Sequence, residues 1–254
     1  MRTVAVLSLK GGVGKTSVVL GLAGAATAQG LATLVIDCDP QCNATSILAA
    51  ELGQPTIADV LERGTRGVLE TALSRCAWEV GPGEVDVIAG DPRLVNLDAW
   101  GRGTWRPRLA PMMGWLSGYD LVLFDCPPSL GALTREALAA SDRAVIVTSP
   151  SFFANQGAQR AIMTVSEIVE SHNARLRLAG IIVNRVRSNA EEHTFRIREL
   201  TRDHGRAQIL QPVIPERIAL QQAESTGQPV HTLGTQSARD VASAFRALLP
   251  QVMA

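Results

Sequence analysis

Lys10-Gly11-Gly12-Val13-Gly14-Lys15-Thr16-Ser17 is the stretch on which the reading of this chain turns. It follows the apolar run Val4 to Leu9 and leads into Thr16 to Gln29, rich in Ala, Val and Leu at helical spacing. Strand, glycine-rich turn and helix, in that order, make a phosphate cradle. Glycines let the backbone curl until successive N–H groups point inward at an anion, and the helix behind adds the positive end of its dipole. In such a loop Lys15 reaches the β and γ phosphates of a nucleotide and the Thr16 hydroxyl ligates magnesium. A dinucleotide fingerprint, G-x-G-x-x-G anchored on Gly12 and Gly14, fails because its last glycine would fall on Ser17.

Composition supports this emphasis on the loop. Of the 24 basic residues, 22 are Arg and only two are Lys, and both lysines, Lys10 and Lys15, lie in this one segment. Arg does not replace a compact ammonium inside a phosphate cradle, so the bias points at chemistry. The 254 residues carry 24 acidic groups as well, for a formal net charge of zero, and 46% are apolar. That content excludes disorder and suffices for a large core without disulfide or metal staples. No run of about 18 uncharged apolar residues exists to span a bilayer. The start, Met1 to Gly12, reads as neither signal nor transit peptide, so the expected location is cytoplasmic. Cys38, Cys42, Cys76 and Cys126 match neither a paired zinc spacing nor a disulfide framework and are read as small buried apolar residues.

Short continuous apolar runs recur at Val4 to Leu9, Leu34 to Ile36, Val85 to Ala89, Leu121 to Phe124, Ala144 to Val147 and Ala179 to Val183. Continuous rather than alternating runs mark strands buried on both faces. Helical spacing fills the intervals at Thr16 to Gln29, Leu130 to Ala140, Asn155 to Ser171, Glu191 to His204 and Ser237 to Leu249. The expectation is an α/β fold, a three-layer sandwich with a mainly parallel twisted sheet flanked by helices, as one domain over residues 1–254.

The ordinary loop pattern, G-x-x-x-x-G-K-[ST], wants glycine where Leu9 stands, and here an extra lysine, Lys10, opens the loop. That form resembles the ParA and MinD family of P-loop ATPases. Asp37-Cys38-Asp39-Pro40-Gln41-Cys42-Asn43 resembles the D-x-D-P-Q-x-N of ParA proteins, and Asp125-Cys126-Pro127-Pro128-Ser129 their D-x-P-P. Ile214-Pro215-Glu216, Gln222-Ala223-Glu224 and Gly227-Gln228-Pro229-Val230 resemble the ParA tail more than the MinD one. The resemblance implies a P-loop NTPase-like fold and Mg-ATP held by Lys10, Gly11, Gly12, Val13, Gly14, Lys15, Thr16 and Ser17. It implies Asp125 on the magnesium side with Thr16, Asp37 as a further magnesium partner, and Asp39 orienting the hydrolytic water. It implies that Lys10 reaches across an ATP-sandwiched homodimer to the partner's phosphates. The base is read as adenine, since guanine-reading N-K-x-D or T-K-x-D motifs need a lysine that this chain does not spare. Asn184, at the end of the sixth run, reads as a base contact and Pro215 as a flank of the ring.

ParA proteins bind DNA without sequence preference as ATP dimers and hydrolyse ATP slowly until a partner such as ParB accelerates it, which would make this chain nucleoid-associated. Arg185, Arg187, Arg198, Arg202, Arg206 and Arg217 are the candidate DNA contacts, with Arg198, Arg202 and Arg206 stepping at helical spacing. The same residues also read as a solvated helix face, with Glu192 and Arg196 paired four apart. Where the family carries basic residues beyond Ile214-Pro215, this chain has Glu216, Arg217 and Ala219. Trp100 to Arg108 mixes aromatics and cations, as single-strand binders, docking loops and ordinary surface turns all do. A MinD-like membrane or protein-bound positioning ATPase without DNA binding is the alternative function. The tail stripe Val241, Phe245, Leu248 and Leu249 has few cations beside it and is expected to pack on the body of the protein rather than on lipid.

Overall fold

The computed structural model describes residues 1–48, 54–76, 78, 80–98 and 105–254. Among these residues seven strands, β1 (Arg2–Leu7), β2 (Thr33–Asp37), β3 (Leu73–Arg75), β4 (Val85–Ile88), β5 (Leu121–Asp125), β6 (Arg143–Thr148) and β7 (Arg177–Val183), form one sheet in the order β3-β4-β2-β5-β1-β6-β7. All neighbours are parallel except β3 and β4. The sequence runs at 4–9 and 85–89 overshoot: β1 ends at Leu7 and β4 at Ile88, because the following residues already turn into loops over the strand ends. Strand β3 escapes sequence reading. It is three residues long, Leu-Ser-Arg, and its half-exposed antiparallel edge position needs no apolar run.

The helices are α1 (Lys15–Ala28), α2 (Asn43–Ile47), α3 (Ile57–Arg63), α4 (Arg66–Thr71), α5 (Leu94–Asp98), α6 (Ala132–Ala139), α7 (Ala154–Ser171), α8 (Glu191–His204), α9 (Ile218–Thr226) and α10 (Gln236–Met253). They cover both faces of the sheet, which explains the continuous strand runs. Val4, Val6, Val35, Leu121, Leu123, Val145 and Val147 point into one core with α1 and α10. Ala5, Leu7, Ile36, Val122, Phe124 and Ile146 point into the other with α3, α6 and α7.

Helix α10 settles the question of the tail. Val241, Phe245, Leu248 and Leu249 are all buried, and Phe245 lies directly over Gly21 of α1, where an added Cβ would come within 2.2 Å of the ring. A glycine inside a helix costs about 1 kcal/mol in propensity, and burying a phenylalanine returns about 2–3 kcal/mol. The apolar stripe is thus spent on the helix that carries the phosphate loop. Among the described residues no helix is long and apolar enough to cross a membrane.

Candidate nucleotide site

The loops after β1, β2 and β5 carry the three sequence motifs, and these strands are adjacent at the centre of the sheet. From β1 the chain departs to β2 on the far side of β5 and later returns to β6 on the other flank, so a crevice opens beyond the carboxyl ends of the strands. A cavity of about 500 Å³ fills that crevice, lined by Gly11, Gly12, Gly14, Lys15, Thr16 and Ser17 from the loop and by Asp39, Gln41, Asn43, Pro128, Arg185 and Glu224 from around it.

The loop is held from behind. Gly14 stands at φ +86°, a left-handed conformation that side chains resist, and an added Cβ there would meet the Asn184 amide nitrogen at 2.3 Å. Asn184 is buried, its Nδ2 donates to the Val13 carbonyl at 2.9 Å, and its Oδ1 accepts from the Arg185 N–H at 2.8 Å. Its amide therefore braces the loop. Neither Asn184 nor Pro215, the two residues read as base contacts, lines the cavity; Pro215 instead bridges Val186 beside it.

Strand register explains the acidic pair. Asp37 and Asp125 end adjacent parallel strands and stand directly opposite each other. Both are fully buried. Asp125 Oδ2 accepts from the Thr16 hydroxyl at 2.7 Å, while its Oδ1 is buried with no hydrogen-bond partner among the described residues. Burial, and then the facing Asp37 carboxylate, push the Asp125 carboxyl up to about 8. Burial likewise raises Asp37, although its Oδ2 accepts from the Thr45 N–H (2.9 Å) and hydroxyl (2.7 Å) and its Oδ1 from the Asp39 N–H (3.1 Å). Asp37 is thus fully bonded and sets the turn toward Asp39. Asp39 is buried, accepts from the Gln41 N–H at 3.0 Å and borders the cavity.

An unpartnered carboxylate oxygen beside the Thr16 hydroxyl fits a divalent cation. Magnesium prefers oxygen donors and is held by one or two protein groups together with substrate phosphates and water. Among the described residues no group of three or more His, Cys, Asp or Glu side chains could hold a metal ion.

Lys15 is buried in the loop, whereas Lys10 is exposed, makes no ion pair among the described residues and lies outside the cavity lining. Two features of the site were not assigned from sequence. Glu224 of α9 accepts from the Ser17 hydroxyl, and Arg185, read as a DNA contact, borders the nucleotide cavity. A separation of 207 residues hides the first, and the positive φ of Arg185 that turns it there has no sequence signal.

Of the other arginines, Arg187 is tied to Glu216 and Arg202 to Asp203, whereas Arg198, Arg206 and Arg217 are exposed with no ion pair among the described residues. The expected Glu192–Arg196 pair is present at 2.7 Å. In the Trp100 to Arg108 segment, residues 100–104 lie outside the described residues. Trp105 is committed to the fold, donating to Glu136 at 2.9 Å and packing on His172. Three cysteines are buried as expected, with Cys38 and Cys126 thiols driven up by burial, but Cys42 is half-buried in a left-handed turn before α2.

Fold and site together define a P-loop nucleotide-binding protein with an extra loop lysine. Residues 1–178 match a family described as an AAA domain. The chain is 33% identical over 240 residues to the chromosome partitioning protein ParA of Caulobacter vibrioides, covering 91% of this chain and 86% of that protein. It is 30% identical over 254 residues to the chromosome-partitioning ATPase Soj of Thermus thermophilus, covering 100% and 96%. Among solved structures, cobyrinic acid a,c-diamide synthase of Mycobacterium smegmatis with a bound ATP analogue and magnesium superposes with a TM-score of 0.76 at 25% identity, over 96% of this chain and 93% of that one. An Asp-to-Ala variant of McdA from Cyanothece in complex with ATP shares the fold, with a TM-score of 0.82 at 21% identity over 99% and 96%. The chain belongs to the ParA/MinD family of P-loop ATPases.

Proposed function

We propose that this chain binds Mg-ATP, closes into an ATP-sandwiched homodimer, binds DNA without sequence preference and hydrolyses ATP slowly until a ParB-like or other partner protein stimulates it, so as to segregate or position a chromosome, plasmid or protein cargo. The observation that carries the nucleotide reading is the cavity itself, in which the loop, Lys15, Thr16 and the half-bonded Asp125 converge. Lys15 neutralises the β and γ phosphates, and Thr16 with Asp125 holds magnesium. The cation, when bound, spreads positive charge over the phosphate oxygens. Asp39 accepts a hydrogen bond from the attacking water, whose oxygen bonds to the γ phosphorus as the bond to the ADP oxygen breaks. Lys10, exposed and unpaired among the described residues, is available to a second copy's phosphates.

The relatives' names support the partition reading, and Arg198, Arg206 and Arg217 offer cations for DNA phosphates. The pairing of Arg187 and Arg202 with acids is the observation that favours the alternative, a positioning ATPase without DNA binding. Retention of random-sequence duplex DNA with ATP, with ADP and without nucleotide, across a salt series, separates them. ATP-dependent binding that falls steeply with salt is expected. ATP-driven dimers that ignore DNA at every salt concentration would refute the DNA reading and favour the alternative.

A further inference from the structure

The chain has five phenylalanines, and they divide sharply. Phe124 and Phe245 are fully buried; Phe152, Phe153 and Phe195 are exposed at 70%, 61% and 53%. The three exposed rings are gathered rather than scattered. Phe152 and Phe153 meet edge to face with centroids 5.1 Å apart, and the Arg196 guanidinium lies 5.1 Å from the centroids of both Phe152 and Phe195. Arg196 is itself fixed by ion pairs of 2.7 Å to Glu192 and to Glu199. Together the rings present roughly 400 Å² of aromatic surface, taking about 200 Å² for each whole ring. A patch of about this size falls in the range of the largest apolar patch on a soluble monomer, which is often functional.

Its place in the fold is the second observation. Phe152 and Phe153 sit in the turn between β6 and α7, and β6 is the neighbour of β1, whose own following turn is the phosphate loop. The first turn of α7, which follows Phe153, lies close to the residue before Lys10: an added Cβ on Gly157 would be 3.9 Å from the Leu9 Cβ. The turn that carries Phe152 and Phe153 and the loop that carries the exposed Lys10 thus follow neighbouring strands at the same end of the sheet.

The geometry points to Phe152, Phe153 and Phe195 as a protein-docking surface, covered by a second copy of this chain in its ATP-bound state. This rests on the nucleotide-sandwiched dimer proposed above and names the apolar part of its interface. Charge argues against lipid or nucleic acid as the occupant. Residues 191–199 of α8 offer Arg196 and Arg198 against Glu191, Glu192 and Glu199, the first two turns of α7 add only Arg160, and Arg196 is already neutralised. Phosphate-bearing surfaces need a cationic excess that the patch lacks. Size argues for a second copy. A stable interface buries about 800 Å² per partner with an apolar centre, which the polar rim of a nucleotide cavity does not supply and the adjoining aromatic patch does.

Sedimentation velocity of the purified full chain with Mg and a slowly hydrolysed ATP analogue tests this, comparing wild type with the pair Phe152→Ser and Phe153→Ser, and separately with Phe195→Ser. The wild type is expected to dimerise and each variant to need at least tenfold more protein for half-dimerisation. Binding of a fluorescent ATP analogue to the dilute monomer, and the melting temperature, should not change, since the rings are exposed. Variants that dimerise like the wild type would overturn the patch while leaving the dimer in place. A wild type that stays monomeric with bound nucleotide would overturn both. Variants that dimerise normally but lose retention on anionic phosphatidylglycerol vesicles or on duplex DNA would show that the patch serves another surface, and the inference would fall.

Discussion

Replacing Asp125 by Asn should stabilise the nucleotide-free protein while removing its response to magnesium. In the fold the Asp125 carboxyl is held up to about 8, against an ordinary value of 3.8, by burial and by the Asp37 carboxylate across the strand pair. A raised carboxyl pKa means that its contribution is fully present below the unfolded value and is lost as pH rises through the folded one. At pH 7 the unfolded chain has released this proton and the folded chain has largely kept it. At about 1.36 kcal/mol per pH unit between 3.8 and 7, folding is penalised by about 4 kcal/mol. Asparagine keeps an acceptor for the Thr16 hydroxyl, which now bonds Oδ2 at 2.7 Å, and puts no charge beside Asp37. Each kcal/mol moves the melting temperature of a chain of this size by about 2–4 °C, so a gain of at least ~5 °C is expected at pH 7. Near pH 4.5 the advantage should shrink to about 1 kcal/mol, because the folded carboxyl is then fully protonated and the unfolded one is less than one pH unit above its own value of 3.8. Differential scanning calorimetry of both proteins at the two pH values, with and without Mg-ATP, reads all of this. A variant that melts at or below the wild type at pH 7, or whose advantage ignores pH, would refute the view that Asp125 is an uncompensated buried carboxyl awaiting a cation.

Lys10→Ala should leave ATP binding by the dilute monomer within about twofold of wild type and abolish the ATP dimer, as read by equilibrium dialysis and sedimentation; a normal dimer would remove Lys10 from the site. Asp39→Ala should lower the hydrolysis rate at least ~100-fold without loss of ATP binding, the scale expected when a water-positioning group is lost, and should accumulate ATP-bound dimer; normal turnover in a phosphate-release assay would sink that role. His231 is half-buried over Gly24 and beside Phe245, with both ring nitrogens shielded from solvent and unpartnered among the described residues, and burial, then the Arg246 charge, lower it to about 4. Its neutral form is favoured by the fold, so stability is full above about pH 6.5 and is lost as pH falls toward 4. His231→Leu should therefore lose about 3 kcal/mol less than wild type between those pH values in urea titrations.

The phosphate loop and the sheet around it could be read from residues because their causes are local. A glycine that must adopt positive φ, a lysine that must enter the cradle and strands buried on both faces all leave marks at fixed short spacing. Asp37 and Asp125 could be placed at strand ends, but their consequence, a register that sets one against the other, depends on β2 pairing with β5 rather than with β1. Glu224 on Ser17 and Asn184 behind Gly14 are contacts across more than 150 residues, and nothing near either residue announces them. The arginines show the converse. Helical spacing puts Arg198, Arg202 and Arg206 on one stripe in the sequence, but α8 ends at His204, so Arg206 lies beyond the helix in a 3-10 turn after Gly205, and Arg202 is tied to Asp203. The exposed rings were invisible for the same reason: a phenylalanine in sequence counts toward the core, and only the fold shows Phe152, Phe153 and Phe195 left outside it.

The two lysines carry the argument from binding to assembly. Lys15 is buried inside the loop and accounts for the ammonium that a phosphate cradle requires. A second ammonium confined to that cradle would be repelled by the first. Lys10 stands outside the cavity lining with its backbone held, through its carbonyl, by the Ser8 hydroxyl at 2.8 Å. A cation so placed is exposed and, in the dimer proposed above, would neutralise phosphate brought by another chain. Bringing that second nucleotide close costs electrostatic repulsion between two polyphosphates, which both lysine pairs offset only when the two faces close together. In the inference drawn above, the three exposed rings would add apolar burial in that same closed state. In the proposed dimer, pairing of Lys10 with the partner's nucleotide and ring burial would favour one geometry, and hydrolysis would weaken the first of the two by taking away the γ phosphate.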